Sequence, residues 1–225
     1  MILINQSAKM LKPSINDGKA LLEACEYAGR NCYASQDRIT DDSCFTFIGN
    51  LLKRGHEGPL EFGDITFDLT TSRAVLAEIT RHRLASFCVE SQRYIQEAKT
   101  GDITFIVPQW ISFEKDTMSL ISNKGKAAFI WYRNTQDAED AYKALISEGC
   151  APEEAREVLP NSTACRIIMK ANLREWRHFF TLRCAKAAYP QMRSLATQML
   201  ELAHDAIPVV FDDLYDLYIN KSENA

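Results

Sequence analysis

Hydrophobic and polar positions follow two periods along the chain. "DITFDL" (64–69) alternates apolar and polar residues, as a half-buried strand does, and "DITFIVP" (102–108) and "ACRIIMKAN" (164–172) read as strands too. Elsewhere apolar residues recur every three or four positions. Leu21, Leu22, Cys25 and Ala28 predict a helix over residues 17–35. A second helix begins near residues 40–43, which offer several caps, and stops at Gly55. Ser72 can cap a third, running to about Arg83. Residues 117–147 read as mainly helical, with a break near 123–125. Asn172 caps a helix to about Arg183, with Glu175 placed as in a capping box, and Pro190 opens another reaching about Ala206. Strands and helices mix without regular βαβ alternation. The expectation is an α+β fold, a mixed sheet with flanking helices. No Gly/Ser/Pro-rich linker interrupts the pattern, so residues 1–225 read as a single domain.

Composition narrows the class. With 225 residues, 46% of them hydrophobic, the chain can bury a real core. A net charge of −4 argues against a surface built for wrapping nucleic acid, so basic clusters are read as local sites. No apolar run approaches the roughly 20 residues that span a bilayer. The start, "MILINQSAKMLKP", lacks the long apolar region and cleavage site of a signal peptide. The seven cysteines are odd in number and none has CxxC spacing, which predicts reduced thiols in a cytoplasmic protein. The four histidines are scattered and no HExxH occurs, so no metal site is expected.

The stretch "TRHRLASFCVESQRY" (80–94) sets His82 between Arg81 and Arg83. Three adjacent cationic positions suit a solvated surface or the surroundings of an anion. On a helix over 73–83, Val75, Leu76 and Ile79 define an apolar arc. Arg83 falls inside that arc, His82 at its edge, and Glu78 with Arg81 on the adjoining side. A buried guanidinium without a partner is costly, so Arg83 either meets an anion or snorkels out from the helix end. The helix after Asn172 repeats the pattern. Leu173, Trp176, Phe179 and Phe180 share an arc with Arg183, while Arg174, Arg177 and His178 lie opposite. Arg183 then either pairs with a core carboxylate or faces a ligand. Two inward arginines suggest a shared anionic ligand, since the planar guanidinium binds phosphates through paired, charge-assisted hydrogen bonds. Ser91 lacks a G-x-S-x-G setting, and neither a G-x-G-x-x-G nor a P-loop is present. His56, in "GHEGPLEF", reads by itself as an ordinary loop histidine.

Arg81, His82, Arg83 and Ser91 together form R-H-R-x7-S, and the chain resembles the flavin-dependent thymidylate synthases that carry this signature. "ESQRY", "GHEGPLEF", "AREVLP" (155–160) and "NLREWRHFFTLRCAKAAYPQMR" (172–193) extend the likeness in family order, from about Ala20 to Ala206. The resemblance implies a homotetramer with flavin and nucleotide bound where subunits meet. It implies methylation of dUMP to dTMP, with 5,10-methylenetetrahydrofolate as carbon donor, FAD as redox cofactor and NADPH as reductant, giving tetrahydrofolate. It assigns Arg81, His82, Arg83, Asn172, Leu173, Arg174, His178, His56 and Gly58 to the cofactor. It assigns Glu78, Arg81, Glu90, Ser91, Gln92, Arg93, Arg156 and Arg183 to dUMP. Arg183 matches the arginine that holds and polarises the uracil, and Ser91 a serine that binds nucleotide rather than attacking it. Three positions depart from the family: Cys88 where Asn, Gln or Ser is commoner, Phe62 after Glu61 where His is usual, and Gly58 where Ser or Thr is frequent.

Two other classes stand beside this reading. One is a small RNA- or nucleotide-binding module that stacks bases on Phe87 and Tyr94, against which the acidic net charge counts. The other is a thiol-dependent enzyme using Cys88 or Cys184.

Overall fold

A computed structural model of the chain describes residues 1–13, 17–93, 101–114 and 119–220; Tyr94 lies outside them. The chain divides into two compact units that interleave along the sequence. The first comprises Met1–Ser7, Leu69–Arg81 and Cys88–Ile167, and the second Ala8–Asp68, His82–Phe87 and Ile168–Ala225.

The strands are β1 (Ile2–Ile4), β2 (Ser7–Lys12), β3 (Asp64–Ser72), β4 (Ala85–Val89), β5 (Thr104–Ile106), β6 (Ser112–Glu114), β7 (Ser119–Ile121) and β8 (Ala164–Asn172). The helices are α1 (Gly18–Asn31), α2 (Ser43–Lys53), α3 (Arg73–Ile79), α4 (Ala127–Ser147), α5 (Pro152–Ala155), α6 (Leu173–Arg183), α7 (Pro190–Ala206) and α8 (Pro208–Tyr215). Four strands form a sheet in the order β2-β3-β8-β4. The α+β reading holds.

In the first unit β1 pairs in parallel with β5, Leu3 opposite Phe105, and β6 pairs antiparallel with β7. Its core gathers Leu3, Ile103, Phe105, Val107, Ile111 and Tyr142. In the second unit Trp176 of α6 stands edge-on to Phe67 of β3, with ring centroids 5.0 Å apart, and stacks on Phe180 at 5.7 Å. Phe180 in turn meets Phe211 of α8 edge-on at 5.6 Å. The indole N–H donates to the Ile65 carbonyl at 3.1 Å, so the largest core side chain leaves no polar atom unpaired. At Gly63 a Cβ would lie 2.9 Å from Leu173 Cδ1 and 3.1 Å from Cys25 Sγ, so any side chain there would push these two core groups aside.

Local signals explain most element boundaries. Asn172 Oδ1 accepts the Glu175 N–H at 2.8 Å and starts α6, while Pro190 and Pro208 occupy first-turn positions of α7 and α8. Ser72 Oγ accepts the Val75 N–H at 3.3 Å and starts α3. Three expectations need correction. α1 ends at Asn31 rather than Ser35, because Ala34 takes a positive φ of 45° and the Ser35 N–H turns back to the Arg30 carbonyl at 3.2 Å. α3 stops at Ile79 rather than near Arg83, because the Thr80 hydroxyl donates to the Leu76 carbonyl at 2.9 Å and the Arg81 N–H turns back to Glu78 at 3.3 Å. Residues 119–121 form β7, not the beginning of a helix.

Candidate functional site

The early end of α3 decides which cation points inward. His82 follows in the turn and is buried, whereas Arg81 and Arg83 are exposed. This overturns the helical-wheel placement of Arg83 on the inner face. The His82 ring packs against Phe179 of α6, centroids 4.8 Å apart, and its two nitrogens meet two side chains of the same helix. Nδ1 lies 3.3 Å from Glu175 Oε1, and Nε2 accepts from Arg183 Nε at 3.0 Å. Glu175, Phe179 and Arg183 recur every four residues, so one stripe of α6 presents carboxylate, ring and guanidinium in line. The sequence by itself gives Glu175 only a capping role. The four-residue stripe was the signal that could have revealed its second role.

Burial lowers the basicity of His82, the Glu175 hydrogen bond opposes this, and the neighbouring Arg183 cation lowers it further. The net effect is a neutral imidazole at pH 7. A neutral imidazole has one donor and one acceptor. Because Arg183 Nε can only donate, Nε2 is the acceptor and Nδ1 carries the proton toward Glu175.

A cavity of about 620 Å³ opens beside this array. Asn172, Arg174, His178 and Glu175 line it, together with Glu57 and Glu61. Arg174 Nη1 pairs with Glu61 Oε1 at 2.6 Å. Arg177 holds another wall: Nε donates to Glu57 at 3.0 Å, and its Nη groups take both oxygens of Asp213 and the Val210 carbonyl. Leu173, expected at the cofactor, is fully buried and gives its N–H to the Gly63 carbonyl, so its side chain belongs to the core. His56 is exposed just after α2, its N–H donating to the Leu51 carbonyl. Gly58 is exposed with nothing within 4 Å of an added Cβ, so a serine or threonine would fit there equally well. Phe62 and Cys88 are exposed.

The remaining predicted residues belong to the first unit. Glu90 is tied to β8 through both backbone and side chain: its N–H donates to the Arg166 carbonyl at 2.9 Å, and its Oε2 accepts the Arg166 N–H at 3.2 Å. Ser91 Oγ accepts the Arg93 N–H at 3.3 Å, and the Arg93 side chain pairs with Glu153 of α5 at 2.9 Å. Arg156 follows α5 and is half-buried, as is Glu78 at the end of α3. Gln92 Nε2 and Arg73 Nε are buried donors with no hydrogen-bond partner among the described residues. Among the described residues no cluster of three or more His, Cys, Asp or Glu could hold a metal ion. No helix there is long and apolar enough to cross a membrane.

With fold and geometry in hand, comparison with known proteins places the chain. Residues 18–209 match the family model described as "Thymidylate synthase complementing protein", and the chain belongs to that family, the flavin-dependent thymidylate synthases. A flavin-dependent thymidylate synthase of Geobacter sulfurreducens is 33% identical over 197 residues, 84% of this chain and 80% of the relative. One from Corynebacterium aurimucosum is 32% identical over 210 residues, 89% of this chain and 83% of the relative. The crystal structure of a UMP/dUMP methylase from Streptomyces cacaoi, bound with 5-Br dUMP, superposes with a TM-score of 0.75. It covers 97% of this chain and 98% of its own at 24% identity, a likeness of fold.

Proposed function

We propose that the protein makes dTMP by reductive methylation of dUMP, using FAD, NADPH and 5,10-methylenetetrahydrofolate and releasing tetrahydrofolate. Family membership sets the reaction class. The observation that carries the assignment of roles is the bond from Arg183 to His82, which joins the last turn of α6 to the middle of the R-H-R motif.

The chemistry demands such an arrangement. C5 of uracil is a poor nucleophile until negative charge on the ring oxygens is stabilised. A guanidinium fixed before reaction provides that stabilisation with no reorganisation and no covalent adduct. Arg183 has this role in the proposal. Glu78, Arg81, Glu90, Ser91, Gln92, Arg93 and Arg156 hold the nucleotide. The buried donors Gln92 Nε2 and Arg73 Nε are of the kind that an anionic nucleotide satisfies. The cavity lined by Asn172, Arg174 and His178 has a volume usual for a small-molecule site and mixed polar walls, which suits one part of a dinucleotide. Arg81, His82, Arg83, His56, Gly58 and the backbone of Leu173 complete the flavin contacts in this reading. FAD, when bound there, supplies the reducing equivalents. The working form is a homotetramer of single catalytic domains spanning residues 1–225, with sites completed between subunits. Its seven free cysteines fit the reducing cytoplasm.

The test is anaerobic incubation of the purified protein with dUMP, methylenetetrahydrofolate, FAD and NADPH, followed by assay for dTMP. Formation of dTMP that stops when any one component is omitted is the expected result. A folded protein that takes up no flavin and makes no dTMP overturns the proposal. Light scattering tests the assembly separately: a monomer with bound, active flavin excludes the tetramer.

A further inference from the structure

We infer that Glu175 is a positioning residue: it holds His82 in the Nδ1–H tautomer, so that His82 Nε2 can hold Arg183 by its Nε–H. The role given to Arg183 rests on the proposed function; the Glu175–His82–Arg183 array rests on geometry alone.

Each alternative state of His82 fails against its neighbours. With the proton on Nε2, two N–H groups face each other across 3.0 Å, and the Nδ1 lone pair faces a carboxylate oxygen at 3.3 Å. With both nitrogens protonated, a second cation lies against Arg183 in a buried site. Only the neutral Nδ1–H form satisfies both contacts. The charged and titratable groups facing the ring are Glu175, Arg183 and His178, all on α6. Of these, Glu175 has an oxygen within reach of Nδ1 and accepts its N–H. It is itself largely buried, with its side chain 8% exposed, so solvent competes little for the bond. Gripping a guanidinium at Nε fixes the plane in which its two Nη groups lie. That plane sets the direction of the fork, and misdirection of a catalytic group by about 1 Å costs on the order of a hundredfold in rate.

Three variants and two readouts test this. In protein carrying ¹⁵N-labelled histidine and arginine, without added cofactor at pH 7.5, the His82 ring should show a protonated Nδ1 and an unprotonated Nε2. Glu175→Leu should lose that signature and shift the Arg183 Nε resonance. In the loaded enzyme it should lower kcat by roughly ten- to a hundredfold, with KM for dUMP moving far less. Glu175→Gln keeps an acceptor oxygen, so it should restore the tautomer and most of kcat. Glu175→Asp, one methylene short, should fall between them. A wild-type His82 protonated on Nε2, or on both nitrogens, overturns the inference even where Glu175→Leu does not fold. So does a folded Glu175→Leu with unchanged ring signals and kcat within about twofold. If wild-type protein makes no dTMP, the reaction assignment fails while the ring signals still decide the role of Glu175.

Discussion

Arg183 Nε donates to His82 Nε2 across 3.0 Å, so a residue of the signature turn and the last residue of α6 form one unit of structure. Arg183→Ala should therefore fold and still take up FAD, yet lose turnover by about 10²–10³ in kcat, the usual cost of a missing transition-state charge contact. Arg183→Lys should recover little, because an ammonium cannot reproduce a planar fork gripped at one nitrogen. Steady-state kinetics beside flavin absorbance separates loss of chemistry from loss of cofactor. A lysine variant with near wild-type kcat would show that charge alone suffices.

Ser91 has a different weight. Its hydroxyl accepts the Arg93 N–H at 3.3 Å, a local contact within one turn. Ser91→Ala should keep measurable turnover, with a loss of about 0.5–1.5 kcal/mol, roughly tenfold at most, falling mainly on KM for dUMP. Mass spectrometry of enzyme quenched during turnover should find no nucleotide on Ser91; a covalent adduct there would refute the binding role.

Thiol chemistry should be dispensable. Burial pushes the thiols of Cys25 and Cys184 up to about 12 and that of Cys165 up to about 11, so the reactive thiolate is scarce at neutral pH. Iodoacetamide at pH 7.5 should leave these three unmodified in the native protein, as read by peptide mass mapping. Cys88→Ser should retain dTMP formation within about tenfold, roughly 1.4 kcal/mol of barrier. An inactive but folded, flavin-bound Cys88→Ser would reverse this.

Arg177 carries a structural load. Its side chain is 12% exposed and ties α6 to Glu57 and to α8 through Asp213 and Val210. Asp213 is 62% exposed and rehydrates once its partner is gone, which limits the damage. Arg177→Ala should then cost about 2–3 kcal/mol, seen as a lower urea midpoint. Burial alone would raise the Asp213 pKa, but the Arg177 pairing outweighs it and the net shift is downward. A carboxyl lowered in the folded state adds stability that is present above its ordinary value, near pH 4, and lost as the pH falls through the folded value. The variant should lack that acid-side loss.

His82 gives a second pH signature at milder acidity. Its basicity is lowered on folding, so its contribution is complete above about pH 6.5 and lost as the pH falls toward the folded value. The urea midpoint of wild-type protein should drop between pH 7.5 and 5.5 more steeply than that of His82→Gln. Equal slopes would mean that His82 is not buried in its neutral form.

Strong local signals made much of this legible in advance. The alternation over 164–172 and the caps at Asn172 and Pro190 gave β8, α6 and α7 their observed limits. The inward placement of Arg183 followed from the periodicity of α6. The same reasoning failed at α3, since periodicity cannot register that the Thr80 hydroxyl takes the Leu76 carbonyl and ends the helix. That failure put Arg83 where His82 belongs. The three-residue strands β1, β6 and β7 are too short to show a period; residues 102–108 do read as a strand, but the pairing of β5 with β1 joins residues about a hundred positions apart. The Glu175–His82 contact spans 93 positions, so sequence could offer Glu175 only its local role as a cap residue.

The interleaving of the two units has a consequence for biosynthesis. Ala8–Asp68 leaves the ribosome long before Ile168–Ala225, which with His82–Phe87 makes up the rest of its unit. The first unit, by contrast, is complete once Ile167 has emerged. α1 and α2 pack on each other within that early segment, but the side of α2 that meets α8 stays uncovered through the synthesis of nearly everything between. That side, where Gly49 comes against Val209 of α8, is what a ribosome-associated chaperone would meet during that interval.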